Sequence, residues 1–167
     1  MSLRDILRWP DPRLNMVCEP VTQIDADVAT LAADMLETMY AAPGRGLAAP
    51  QVGEMWRVFV MDTEWKEGAA APMVFINPAI VSHSEAQAVQ VEGCLSIPGI
   101  SAEISRSAEV VMTWQALSGA PQRRAFSGFA AACVQHELDH LNGVVTFDHL
   151  EPELRAEYKA VYVQAAP

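Results

Sequence analysis

Apolar residues recur every three or four positions in the first quarter of the chain, which is the spacing of an amphipathic helix. The residues with this spacing are Ile24, Val28, Leu31, Met35 and Met39. Thr22 and Asp25 are expected to form a variant of the capping box at the start of this helix. Pro43 and Gly44 should end it.

From there to about Phe126 the helical spacing is replaced by short runs rich in β-branched and aromatic residues, which are typical of strands. The predicted strands are Arg57–Met61, Met73–Ile76, Ala88–Val91 and Glu109–Trp114. Turns are predicted at Asn77-Pro78, Pro98-Gly99 and Ser118-Gly119, because these dipeptides favour chain reversal.

Two further helices are predicted near the end of the chain. Ser127 should cap a helix from Gly128 to Asn142, and Gly143 should end it in the left-handed conformation. A shorter helix should follow Pro152, since proline is tolerated in a first helical turn. The order helix, antiparallel strands, helix, helix predicts an α+β fold.

Composition limits the classes of function. The chain has 167 residues, is 51% hydrophobic and carries a formal net charge of −10, so we expect one folded domain without nucleic-acid partners. Three cysteines argue against a disulfide framework and for a reducing compartment. Arg4 and Asp5 interrupt the N-terminal region, so neither a secretory signal nor a membrane span is predicted there, and the cytoplasm is the expected location.

The predicted helix at 128–142 contains the sequence HELDH at 136–140. Residues four apart lie on one helix face, so His136 and His140 can bind one metal ion. Glu137 would then lie beside the ion without binding it, as a general base acting on water does. The alternative is an accidental pair of hydrogen-bonded histidines. The glutamate between the histidines and the amphipathic, capped helix favour metal binding.

Cys94 is the candidate third ligand, because it follows a predicted strand and Gly93 and can be presented from a tight turn. Its alternative is a small buried apolar residue. Cys133 shares the helix face but lies about 10 Å from His140 along the axis, so a packing or pocket-lining role is expected. Three protein ligands leave one tetrahedral position open, as in catalytic sites. None of Cys18, His83 and His149 has a spacing that recommends it as a fourth ligand.

The segment GRGLAAPQ at 44–51 has two interpretations. A phosphate-binding loop is disfavoured, because the third glycine and the following helix start are missing. A strand edge with small residues, where an extended peptide pairs with the backbone, fits better. Gln51 would supply a neutral amide donor, or would be a solvated turn residue.

Three motifs in this order, GRGLAAPQ at 44–51, EGCLS at 92–96 and HELDH at 136–140, resemble the peptide deformylase family. The resemblance continues through Asp11-Pro12-Arg13-Leu14, Ile76-Asn77-Pro78 and Arg106, so it covers nearly the whole chain. It implies a single catalytic domain over residues 1–167, in which antiparallel sheets pack around a central metal-binding helix.

The resemblance implies an enzyme that removes the formyl group from N-formylmethionyl peptides and releases formate. Cys94, His136 and His140 would hold one divalent metal ion, Fe²⁺ in the cell, with Zn²⁺, Ni²⁺ or Co²⁺ as substitutes. Glu137 would move the proton. The Leu95 N–H and the Gln51 side chain would stabilise the oxyanion.

The resemblance also implies which residues contact the substrate. This set comprises Gly44, Arg45, Gly46, Leu47, Glu92 and Gly93, with Cys133 in the pocket for the methionine side chain. Transient contact with the ribosome is a further implication, although Val144–Pro167 contains only Arg155 and Lys159 as lysine or arginine. Neither DNA nor a membrane is an expected partner.

Arg45 departs from the family pattern, which favours a hydrophobic residue between the two glycines. Its guanidinium could point to solvent while the stem covers the pocket, or it could favour acidic peptides. Two alternative functions follow from the motifs. One is a zinc endopeptidase of the HExxH type, which the Cys94 ligand disfavours. The other is a deformylase-like protein that binds peptides without turnover, which the Arg45 departure leaves open.

Overall fold

The computed structural model describes residues 2–165 and has a five-stranded antiparallel sheet between two helices. The helices are α1 (Ala26–Ala41), α2 (Gly128–Leu141) and α3 (Pro152–Ala165). The strands are β1 (Gly46–Ala48), β2 (Val58–Met61), β3 (Met73–His83), β4 (Gln87–Cys94), β5 (Ile97–Ser107), β6 (Glu109–Gln115) and β7 (Pro121–Ser127). The sheet order is β1-β2-β3-β6-β7, and β4 and β5 form a separate hairpin. The α+β prediction is confirmed.

Strand β2 shows why the sheet is the middle layer of the molecule. All four of its residues are buried, and successive side chains of a strand point to opposite faces. Val58 and Val60 pack in the cluster shared with α1, whereas Phe59 and Met61 pack in the cluster shared with α2. Apolar surface is therefore removed from water on both faces of the sheet.

Helix α2 is the central helix, since it contacts both the sheet and the β4–β5 hairpin. Its buried residues are Ala131, Ala132, Cys133, Val134, Gln135, Glu137, His140 and Leu141. Ser127 occupies the predicted N-cap position but makes no side-chain capping bond. Gly143 has φ 74°, as the predicted left-handed stop requires.

The hairpin is attached to the rest of the protein by a third apolar cluster. Ile97 and Ile104 of β5 pack there against Phe147 and Tyr162. The Tyr162 hydroxyl also donates a hydrogen bond of 2.8 Å to the Trp9 carbonyl. Helix α3 and the N-terminal segment therefore also support the hairpin. No helix within residues 2–165 combines the length and the hydropathy of a membrane span.

Two local predictions are corrected by the structure. Helix α1 is capped by Asp25, whose Oδ1 accepts a hydrogen bond of 3.1 Å from the Val28 N–H, so Thr22 is not the capping residue. The dipeptides Asn77-Pro78 and Pro98-Gly99 do not end strands, because they lie inside β3 and β5. Asn77, at φ 51°, forms an irregularity of the β3–β6 pairing.

Candidate active site

Three donor atoms from two separate elements converge at one end of the hairpin. Cys94 is the last residue of β4, and His136 and His140 lie one turn apart on α2. Their donor atoms all lie within 4.8 Å of one another, and Cys94 Sγ is 3.4 Å from His140 Nε2. Donors of a tetrahedral ion with ordinary sulfur and nitrogen bond lengths lie about 3.3–3.6 Å apart. The three residues therefore fit one metal ion.

Glu92 orients the His136 ring. The Nδ1 of His136 donates to Glu92 Oε1 at 3.0 Å, so its Nε2 faces the other donors. Arg106 donates to both carboxylate oxygens of Glu92, at 2.6 and 2.9 Å. Burial raises the pKa of Glu92, but the bonds from Arg106 and His136 outweigh it and lower this pKa to about 2. Glu92 is therefore an anion that holds His136 in place.

This network extends beyond Glu92 to the surface. Arg106 also donates to Asp139 Oδ2 at 2.9 Å, and the same oxygen accepts a bond of 2.7 Å from His149 Nε2. Sequence reasoning missed this network, apart from noting that Arg106 matches the family pattern. Its members are far apart in the chain, and only the fold brings them together.

The two histidines differ in electrostatics. Burial opposes protonation of His136, but its bonds to Cys94 and Glu92 outweigh burial and raise its pKa well above the usual value. Burial lowers the pKa of His140, so this ring is a neutral imidazole. A neutral imidazole is the form that binds metal ions.

Glu137 lies beside the donor cluster and is only 4% exposed. Its Oε1 is buried and has no hydrogen-bond partner within residues 2–165. Burial raises the pKa of Glu137 to about 7, although the nearby His136 opposes this shift. A carboxyl group with a pKa near neutrality can both accept and return a proton at physiological pH.

Gly46 places the backbone of β1 directly against Glu137. A methyl group at Gly46 would lie 2.9 Å from Glu137 Cδ and 3.1 Å from Cys133 Sγ. The preceding residues are held from the other side, where Trp65 Nε1 donates to the Gly44 carbonyl at 3.0 Å and Asp62 N donates to the Arg45 carbonyl at 2.8 Å. These hydrogen bonds therefore fix the backbone of residues 44–46 beside Glu137.

The Gln51 amide has a fixed orientation. Its Oε1 accepts a bond of 2.9 Å from the Ala48 N–H, and its Nε2 donates to Ser96 Oγ at 3.0 Å. The same Nε2 approaches Cys94 Sγ at 3.6 Å. Since Gln51 is only 1% exposed, the interpretation as a solvated turn residue is wrong. The amide N–H points towards the donor cluster.

A cavity of about 560 Å³ opens from this centre, a volume that accommodates a short peptide. The predicted contact residues that line it are Gly44, Arg45, Gly46, Glu92, Gly93 and Cys133. The structure does not place Leu47 with the other predicted contact residues. Its side chain is fully buried in the core shared with α1 and does not line the cavity. Sequence reasoning missed Lys66 and Phe129, which also line the cavity.

Comparison with known proteins agrees with this geometry. Residues 3–156 match the model of a protein family described as polypeptide deformylase. The chain belongs to the polypeptide deformylase family. This is the family that the three sequence motifs indicate, so that identification is confirmed.

Relatives of this deformylase match it over nearly their whole length. A peptide deformylase of Afipia carboxidovorans is 48% identical, with 99% of this chain and 97% of the relative covered. A crystal structure of a peptide deformylase from Legionella pneumophila has a TM-score of 0.92 and 37% identity, covering 98% of this chain and 95% of that one. The Ehrlichia chaffeensis enzyme in complex with actinonin has the same TM-score and identity, with complete coverage of both chains.

Proposed function

We propose that this deformylase hydrolyses the N-formyl group of formyl-methionyl peptides at one metal ion held by Cys94, His136 and His140. The observation that carries the proposal is the convergence of these three donors beside the buried Glu137 carboxyl. Family membership supplies the substrate class. The net reaction adds water across the formyl C–N bond and gives formate and a free methionine amine.

The ion, when bound, would act as a Lewis acid that polarises the formyl carbonyl and acidifies water. We propose Fe²⁺ as the ion in the cell, in agreement with the family resemblance. Zn²⁺, Ni²⁺ and Co²⁺ are substitutes, because one thiolate and two imidazoles form a donor set that several of these ions accept.

Glu137 moves the proton in this proposal. Its carboxylate accepts a proton from the attacking water and returns it to the methionine nitrogen as the C–N bond breaks. A pKa of about 7 lets the same group serve in both steps. Burial also keeps the carboxyl away from bulk water, so the proton is delivered to the leaving amine.

Two donors can stabilise the negative charge that develops on the formyl oxygen. The Gln51 Nε2 amide is fixed by the bonds to Ala48 and Ser96. The Leu95 N–H directly follows the ligand Cys94 in the β4–β5 turn. Donors that are oriented before the reaction stabilise such a charge without reorganisation.

The peptide backbone is expected to pair with β1, which is an edge strand. Gly46 lies opposite Met61, and the bond from Asp62 N to the Arg45 carbonyl flanks this pair. Gly46 is therefore in a non-hydrogen-bonded pair, so its own N–H and C=O point to the free edge. The methionine side chain would lie beside Cys133, where burial raises the thiol pKa and keeps the thiol neutral.

The domain, compartment and ribosome assignments complete the proposal. We assign the activity to one catalytic domain and to the cytoplasm, a compartment in which the three free cysteines stay reduced. Contact with the ribosome would be transient. It would not use a basic face of α3, because Arg155 donates to the carbonyls of Phe147 and Leu150.

The test is formate release from formyl-Met-Ala-Ser by protein loaded anaerobically with Fe²⁺, or with Ni²⁺. Glu137→Gln should keep one metal ion per chain and lose about 100-fold or more in kcat. Glu85→Gln, the same change at an exposed position, should be fully active. An inactive metal-loaded wild type, or a fully active Glu137→Gln, would refute the proposal. Unformylated peptides should remain uncleaved, which separates the proposal from an endopeptidase.

A further inference from the structure

Two cations line the outer part of the active-site cavity of a protein whose formal net charge is −10. They are Arg45, which is partly buried, and Lys66, which is exposed. Within residues 2–165, the remaining charged groups that line this cavity all belong to the buried metal centre or its immediate support. Arg45 and Lys66 are thus the charged side chains that this cavity presents outside the metal centre, while Glu64 and Glu67 line an adjoining pocket that shares Arg45 and Phe129.

Arg45 is held at the mouth of this cavity rather than extended into solvent. Its guanidinium carbon lies 5.1 Å from the centre of the Phe129 ring, a cation–π contact. Its Nη2 is 2.9 Å from Glu67 Oε1. The Arg45 side chain is 30% exposed, so the guanidinium is partly shielded from water beside the cavity.

Glu67 competes for Arg45 only weakly. Its side chain is 71% exposed, and it does not line the cavity. Exposed ion pairs contribute little free energy, because water and salt screen both charges. A carboxylate that enters with a bound peptide can therefore replace Glu67 as the partner of Arg45.

Lys66 adds to the same field without a strong partner. Its Nζ lies 5.5 Å from the centre of the Trp65 ring, and no ion pair is found for it within residues 2–165. Trp65 itself is fixed by the bond to the Gly44 carbonyl. The backbone from which the Lys66 side chain extends is therefore held next to Gly44.

We propose that Arg45 and Lys66 make this enzyme prefer formyl-Met peptides with Asp or Glu at one of the two residues after methionine. The inference rests on the proposed function. With the methionine side chain beside Cys133, the next residues leave through the mouth, and two extended residues span about 7 Å. A negative side chain there meets two cations, whereas a lysine would be repelled.

The experiment compares kcat/KM for matched peptides that differ by one charge. The peptides are formyl-Met-X-Ser and formyl-Met-Ala-X, with X as Glu, Gln or Lys. In the wild type we expect a Glu-to-Gln ratio of about two to five per contributing cation at one of the two positions. The Lys-to-Gln ratio should be below one, and both ratios should approach one in high salt.

Four variants locate the effect. Arg45→Leu and Lys66→Gln should each lower the Glu-to-Gln ratio, whereas Glu67→Gln should raise it because Arg45 loses its competitor. Arg123→Gln removes one positive charge from exposed strand β7 and should leave the ratio unchanged. These opposite directions distinguish local recognition from the effect of net charge.

The outcomes separate this inference from the proposed function. If no formyl peptide releases formate, the function itself is wrong. If all peptides are hydrolysed and the Glu-to-Gln ratio is one at both positions in the wild type, only the acidic preference is wrong. A ratio that Arg123→Gln changes as much as Arg45→Leu would also overturn it.

Discussion

The contribution of the Glu92 carboxylate, which accepts the bond from His136, can be tested by replacing Glu92 with glutamine. Both carboxylate oxygens of Glu92 accept bonds from Arg106, and one of them also accepts the bond from His136. Glutamine has only one acceptor oxygen, so its NH₂ group must face one of these donors. The substitution also leaves the buried Arg106 without its main counter-charge.

The size of the effect follows from the pKa of Glu92. The difference between the ordinary value of 4.5 and about 2 in the folded protein corresponds to about 3 kcal/mol in favour of the folded carboxylate. Breaking a buried ion pair by removing one partner costs about the same. We therefore expect Glu92→Gln to lower the free energy of unfolding of the metal-free protein by about 3 kcal/mol at pH 7.

The effect of Glu92→Gln on the free energy of unfolding should depend on pH in a defined direction. Because the folded pKa of Glu92 lies below the ordinary value, its contribution is fully present above pH 4.5 and is lost as the pH falls towards 2. The difference in stability between wild type and Glu92→Gln should shrink over that interval. Metal affinity, measured by competition with a chelator, should fall about 10- to 100-fold.

The assay is urea unfolding followed by circular dichroism, with linear extrapolation to water. Glu103→Gln is the matched control, since Glu103 is exposed on β5 of the same hairpin, and its effect should stay within about 0.5 kcal/mol. A loss below about 1 kcal/mol for Glu92→Gln at pH 7, or one that does not change with pH, would show that this network does not stabilise the fold.

Three other substitutions test two closely packed glycines and one buried carboxylate. Gly46→Ala should lower kcat/KM about tenfold or more with an unchanged circular dichroism spectrum, because the new methyl group contacts Glu137 and Cys133. Gly143→Ala should destabilise the protein by about 2 kcal/mol in urea unfolding, since φ is 74° and the methyl group would lie 2.8 Å from the Asn15 carbonyl. Burial raises the pKa of Asp62, but bonds from Tyr40 and three backbone N–H groups outweigh it and lower that pKa. Asp62→Asn should therefore lower the melting temperature above the ordinary carboxyl pKa, and by less as the pH falls; an unchanged value at pH 7 would contradict this.

Local sequence signals predicted the structure correctly where it depends on residues within one helix or at its end. The spacing of Leu31, Met35 and Met39 predicts α1, and Gly143 predicts the end of α2. Turn signals were misleading where strand pairing competes with them. Asn77 stays within β3 because its side chain bonds to Val21 and to Gln115, which lie far away in the chain.

The donor set of the site follows from spacing and motif, but its support does not. HELDH at 136–140 places two imidazoles on one face of a helix by local geometry alone. Arg106, Asp62 and Trp65 act through contacts that only the folded chain creates, and no periodicity marks them. Leu47 shows the converse, because a residue inside a recognised motif is a core residue whose side chain faces α1.

The ligands come from a hairpin and from a helix, and Cys94 and His140 lie 46 positions apart in the chain. A bound ion would therefore add a direct cross-link between two parts of the chain that already meet through packing and through the Glu92–His136 and Arg106–Asp139 bonds. Because the three donors come together only in the folded chain, the free energy of binding the ion adds to the free energy of unfolding, so the ion should stabilise the whole domain. During synthesis, the ion could be captured only after α2 has emerged and docked against the hairpin.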